Sequence, residues 1–141
     1  MPAFNKFDVF TENLAEAVHN LQSHTLKVML TNTAPIAANA VKADITELGA
    51  GNGYTAGGNT VTVAASAQTG GVYKLTLNDT VFTAAGGSIG PFRYAVLYND
   101  TPASPLKPLI GWSDYGAAVT LADGETFTVD FDATNGVLTL T

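Results

Sequence analysis

The order of apolar and polar positions divides the chain into a short stretch at helical period and a long region at period two. Phe7, Phe10, Leu14, Val18 and Leu21 recur at spacings of three, four, four and three, a single apolar stripe on one helix face. Asp8, Glu12 and Glu16 fall toward its start, where acids complement the positive end of a helix dipole. The pattern predicts a helix from about Asp8 to Leu21, with Phe4 and Phe7 left exposed on an isolated domain. From Thr25 the period changes. Thr25 to Leu30 reads as a strand, and Val61–Ala67, Tyr73–Asn78 and Val81–Ala84 as three more, punctuated by Thr69-Gly70-Gly71 and Asn78-Asp79. Phe92, Tyr94, Val96 and Tyr98 alternate with Arg93, Ala95 and Leu97, which predicts a strand buried on both faces. Leu109 to Tyr115 follows after a proline-broken segment, with a bulge expected at Gly111. Ala122-Asp123-Gly124-Glu125 carries a hairpin signature, and beyond it Phe127, Val129 and Phe131 share one face. Asn135-Gly136 turns into Val137–Thr141, so the last residues are expected to be paired.

Two connecting segments carry their own signals. Lys42 to Leu48 predicts one or two helical turns ended by Gly49. Gly49 to Gly58 is a glycine-rich loop around Tyr54, expected to be flexible or ordered only by a partner. About seven or eight short strands with regular turns argue for a mainly β, jelly-roll-like β-sandwich with one N-terminal α-helix. The 141 residues fit a single domain, an arm and helix over 1–23 and a β core over 24–141.

Composition narrows the chemistry. Charged residues make up 13% of the chain, about half the usual share, and 19 threonines and 14 glycines fill the gap. There is no cysteine, which removes disulfides, thiolate metal sites and cysteine nucleophiles. A net charge of −6 has the wrong sign for a phosphate-binding surface, so no nucleic acid is expected. The start of the chain lacks the basic and apolar regions of a secretory signal, and no stretch is apolar enough to span a bilayer. Synthesis in the cytoplasm and no membrane partner are the expectation.

The loop Gly49 to Gly58 resembles a phosphate cradle only superficially, since a strand and no lysine follow it. His19 and His24 do not offer ligands on one helix face and read as solvent-exposed or capping side chains. Asp114, Asp123, Glu125, Asp130 and Asp132 lack calcium-loop spacing and read as turn caps and solvated strand faces. No catalytic residue, metal or cofactor is expected. Two kinds of contact remain. Phe4, Phe7, Phe10, Asn52 and Tyr54 are candidate partner contacts on the arm, the helix and the loop. Tyr98, Trp112 and Tyr115 are a candidate aromatic platform for a carbohydrate.

Several segments together resemble small structural proteins of tailed bacteriophages. They are Leu30–Pro35, Lys42–Leu48, Gly51–Gly58, Tyr94–Thr101, Pro108–Gly116 and Leu121–Phe127. The likeness runs from Lys27 to Thr141 and is greatest to capsid cement, or decoration, proteins. It rests on packing and turn motifs and transfers no catalytic residue. It implies a β domain on the outer surface of the virion, bound to the phage major capsid protein and bridging its neighbouring subunits. It also implies a homo-oligomer, with a dimer favoured and a trimer possible. A carbohydrate-binding or tail- or fibre-associated β-sandwich module is the alternative.

Overall fold

The computed structural model describes residues 2–141, and the chain builds three antiparallel sheets and one short helix. A five-stranded sheet holds β1 (Phe4–Lys6), β8 (Leu109–Leu121), β7 (Ile89–Asn99), β2 (Leu26–Thr31) and β3 (Asn59–Val61), in that spatial order. A three-stranded sheet orders β10 (Leu138–Leu140), β5 (Val72–Leu77) and β4 (Val63–Thr69), and β6 (Thr80–Thr83) pairs with β9 (Thr126–Val129). The fold is a mainly β sandwich with one helix, α1 (Asp8–Ala15), near the N-terminus. The expected pairing of the last residues is present, Leu138 opposite Leu75 and Leu140 opposite Tyr73.

Two apolar clusters explain the burial of the central strands. The larger one joins Val28, Leu30, Ala95, Leu97 and Ile110 of the large sheet to Leu75, Leu77, Phe82 and Val129 of the two smaller ones. The other lies on the opposite face of the large sheet, where Phe7 and Ile45 cover Met29, Val96, Tyr98 and Leu109. With both faces covered, the antiparallel strand β7 takes the near-continuous apolar character usual for fully buried strands. Strand turns follow their residues closely. Gly70 and Gly71 both have positive φ, as a two-residue hairpin between Thr69 and Val72 requires. The bulge expected at Gly111 occurs one residue away: Tyr98 opposes Leu109 and Leu97 opposes Gly111, leaving Ile110 extra.

Four expectations need correction. The helix stops at Ala15 rather than Leu21, because Ala17 turns to φ 63° and Asn20 Oδ1 then accepts the Gln22 and Ser23 amides. Valine, histidine and asparagine are weak helix formers, and here His19 and Leu21 are drawn into the core instead. The apolar stripe is consequently split, with Phe10 and Leu21 in the larger cluster and Phe7, extended just before the helix, in the other. The Asp123-Gly124 turn does form, with Gly124 at φ 89°, but it makes no hairpin. It carries the chain out of β8 into β9, whose partner is β6. The single strand expected over Val61–Ala67 is broken at Thr62 into β3 and β4, which join different sheets. Lys42–Asp44 forms one 3-10 turn, the shorter of the two predicted lengths, and ends at Ile45 before Gly49 is reached.

Candidate interaction surface

The N-terminal arm is part of the sheet. Phe4, Asn5 and Lys6 oppose Ser113, Trp112 and Gly111, the Phe7 N–H donates to the Ile110 carbonyl at 3.1 Å, and the Asp8 N–H to the Ala37 carbonyl at 2.9 Å. The Phe4 ring is half-buried over Gly111, where any Cβ would collide with it. Phe7 is fully buried, its ring 4.6 Å from the Trp112 ring, and Phe10 is buried beside His19. Phe7 and Phe10 are therefore core residues and present no surface to a partner. The physical reason is the β1 ladder, which fixes the chain direction so that the next residue enters the outer cluster.

The glycine-rich loop is held by its own contacts. Tyr54 is buried, and its hydroxyl accepts the Leu30 N–H at 3.0 Å while donating to Glu47 Oε2 at 2.8 Å. The same carboxylate oxygen accepts the Gly57 N–H at 2.5 Å, and Glu47 Oε1 accepts from Lys42 Nζ at 2.8 Å. The Tyr98 hydroxyl donates to the Gly57 carbonyl at 2.6 Å. Gly58, at φ 78°, lies so close to the Val28 carbonyl that no side chain fits. These bonds complete an edge: β3 pairs with β2 only from Leu26 to Val28, so Leu30 would otherwise have no partner on that side. Tyr54 takes its N–H and the Leu48 N–H takes its carbonyl at 2.9 Å. Burial raises the Tyr54 and Tyr98 phenols far above their ordinary range, so both stay protonated donors. Tyr54 is thus a structural pin. Asn52 is exposed, at φ 56°, with its amide donating to the Ser88 carbonyl at 2.9 Å.

The three candidate platform aromatics do not share a face. Tyr98 is fully buried, and half-buried Trp112 packs with it on the outer cluster. Tyr115 packs edge-on against Phe127 at 4.9 Å and belongs to the larger cluster. Its buried hydroxyl has no partner, and burial pushes its pKa up to about 12. The odd separation of residues 112 and 115 already opposes them across a pleated strand, a signal present in the sequence.

The histidines are also placed differently from the expectation. His19 is buried and His24 half-buried, and both meet Asn99, itself fully buried at the end of β7. Asn99 Oδ1 accepts the Thr101 N–H at 3.1 Å, which leaves Nδ2 to donate to His19 Nδ1 at 3.0 Å and His24 Nδ1 at 2.9 Å. Desolvation, with a smaller contribution from His24, lowers the His19 pKa to about 4. The residue lines a groove of about 540 Å³ between Asn20–Gln22 and Ser66–Gln68. Sequence reasoning missed this cluster because Asn99 lies far along the chain in a strand with no ligand pattern.

The late carboxylates act locally. Asp114 forms a two-pronged ion pair with Arg93 at 2.7 and 3.0 Å, which lowers its pKa. Asp123 accepts the Gly86 N–H, Glu125 the Ala122 N–H, and Asp132 the Thr134 and Asn135 amides. Among the described residues, no three histidines or carboxylates gather as a metal cluster. Among the described residues, no helix is long and apolar enough to cross a membrane. What the surface does offer is aliphatic: Ile36 and Leu106 are each 61% exposed. They sit on two loops tied together by Lys42 N–H to Lys107 carbonyl and Leu109 N–H to Ala40 carbonyl bonds. No protein-family model, no curated protein and no solved structure matches the chain.

Proposed function

We propose that this chain is a structural virion protein that binds the outside of a tailed-phage head and cements neighbouring major capsid protein subunits. The observation that carries this reading is the resemblance that runs from Lys27 to Thr141, through packing and turn motifs in nearly every part of the β core. Those motifs include the segments that pin loops to the sheet, Lys42–Leu48 and Gly51–Gly58. A rigid body with fixed loops suits a lattice clamp, because surface already held in place loses little conformational freedom on docking. With Phe7, Phe10 and Tyr54 buried, the contact role passes to exposed residues, first of all Ile36 and Leu106 on their joined loops.

The test is binding to heads assembled from a tailed-phage major capsid protein. The purified protein is expected to co-sediment with expanded heads and to label the head in electron micrographs. The double substitution Ile36→Asp and Leu106→Asp, on exposed positions that leave the fold intact, should weaken binding at least about tenfold. Absence of binding to heads, or labelling confined to tails, would refute the capsid reading.

A further inference from the structure

We infer that β4 is a self-association edge, along which two copies of the chain pair antiparallel about a two-fold axis to form one continuous six-stranded sheet. β4 has β5 on one side only. Beyond that ladder, no backbone group of Val63–Thr69 hydrogen-bonds to any other described element. An open row of donors and acceptors is a template for another strand, and soluble proteins ordinarily block it with charge, proline or brevity. The sheet edges at β1, β3 and β10 are three residues long, and β6 and β9 are four. β4 runs for seven residues, Val-Ala-Ala-Ser-Ala-Gln-Thr, with no charge and no proline. The stretch of β8 beyond β1, Asp114–Leu121, is a comparably long edge, but its ladder with β7 breaks twice there and Gly116 turns to φ 84°, whereas the one irregularity of β4 lies at its start, between Val63 and Ala65.

Charge favours a second copy as the occupant. Two chains of net charge −6 repel unless they meet where acids are missing. The β10-β5-β4 sheet is such a place: its strands contain no Asp or Glu, and Lys74 is their one charged residue. Acids gather near only one end of the strand, where Asp79, Asp130 and Asp132 share a depression with Ala64. Antiparallel pairing about a two-fold sets that end against the neutral Thr69 end of the partner, so the two acidic groups stay apart. A two-fold contact of one edge with itself closes at two copies, and the six-stranded sheet then ends on the three-residue β10 strands, too short to propagate a fibre readily. The small residues Ala65 and Ala67 on the outer face allow close strand approach, and exposed Val72 extends the apolar surface beside them. A paired strand would also roof the groove that Ser66–Gln68 form with Asn20–Gln22.

Sedimentation velocity on the isolated full chain tests this independently of any capsid. At about 50 µM, where a micromolar interface is saturated, the wild type is expected to run as a dimer. Ala67→Lys and Ala67→Glu, at an exposed position, should each keep the wild-type circular dichroism and melting temperature and run as monomers. Mixed in equal amounts, they should recover the dimer, because opposite charges then face each other across the axis. A monomeric wild type, a trimer, a dimer that survives both substitutions, or a mixture that stays monomeric would overturn the inference. None of these results bears on whether the chain binds heads.

Discussion

Replacing Tyr54 with phenylalanine removes one oxygen from a buried position and should cost the fold far more than one solvent-exposed hydrogen bond would. The ring can keep its packing 5.7 Å from Phe82, so the change isolates the hydroxyl. Without it, the Leu30 N–H stays buried beyond the end of the β3 ladder with no acceptor in reach. An orphaned buried donor costs about 1–3 kcal/mol, and a lost bond to a carboxylate a similar amount. Glu47 keeps the Gly57 amide and Lys42 as partners, so its own loss falls at the low end. The sum is about 3 kcal/mol, which for a chain of this length lowers the melting temperature by roughly 9 °C. Urea and thermal unfolding followed by circular dichroism measure it. Tyr73→Phe is the control: its hydroxyl meets Ser66 Oγ at 2.8 Å in a half-buried position, and its removal should cost under about 1 kcal/mol. Hydrogen exchange gives a site-specific reading, since the Leu30 amide should exchange faster in Tyr54→Phe and unchanged in Tyr73→Phe. A Tyr54→Phe protein within about 0.5 kcal/mol of wild type, with Leu30 still protected, would refute the pinned-loop account.

Two further predictions concern the N-terminal third of the chain. Burial holds His19 down at about 4, so between its ordinary value of 6.5 and that value the unfolded chain binds a proton that the native chain does not. Stability is therefore complete above pH 6.5 and declines as pH falls toward 4, by roughly 1–2 kcal/mol once partial solvent screening is allowed for. His19→Gln, which keeps an acceptor for Asn99, should flatten urea midpoints across that window, and an unchanged slope would count against His19 as the cause. Asp44, held low by the Ala40 and Val41 amides, and Asp114, held low by Arg93, act only below the window. Deleting Pro2–Phe7 removes the β1 ladder and fully buried Phe7 and should destabilise the fold by at least about 3 kcal/mol. A truncated protein that melts with the wild type would show the arm to be dispensable.

Local chemistry in the sequence determined most of the strands, the Gly70-Gly71 turn and the double-sided burial of β7, because pleat period and turn conformation are properties of a few adjacent residues; it did not show β1, nor that Val61–Ala67 divides between two sheets. The same logic misjudged whatever depended on a distant partner. Phe7 belongs to the apolar stripe by spacing, yet β1 pairing with residues more than a hundred positions away turns it to the other face of the sheet. Tyr54 sits among glycines that promise mobility, and only the short reach of β3 along β2 creates the unpaired Leu30 amide that it caps. His19 looks solvent-exposed until Asn99 arrives from the end of β7. The opposition of Trp112 to Tyr115 was legible in their odd separation. The open edge of β4 was not, because a strand's sequence fixes which side chains it shows, while its neighbours in the sheet decide whether its backbone is already paired.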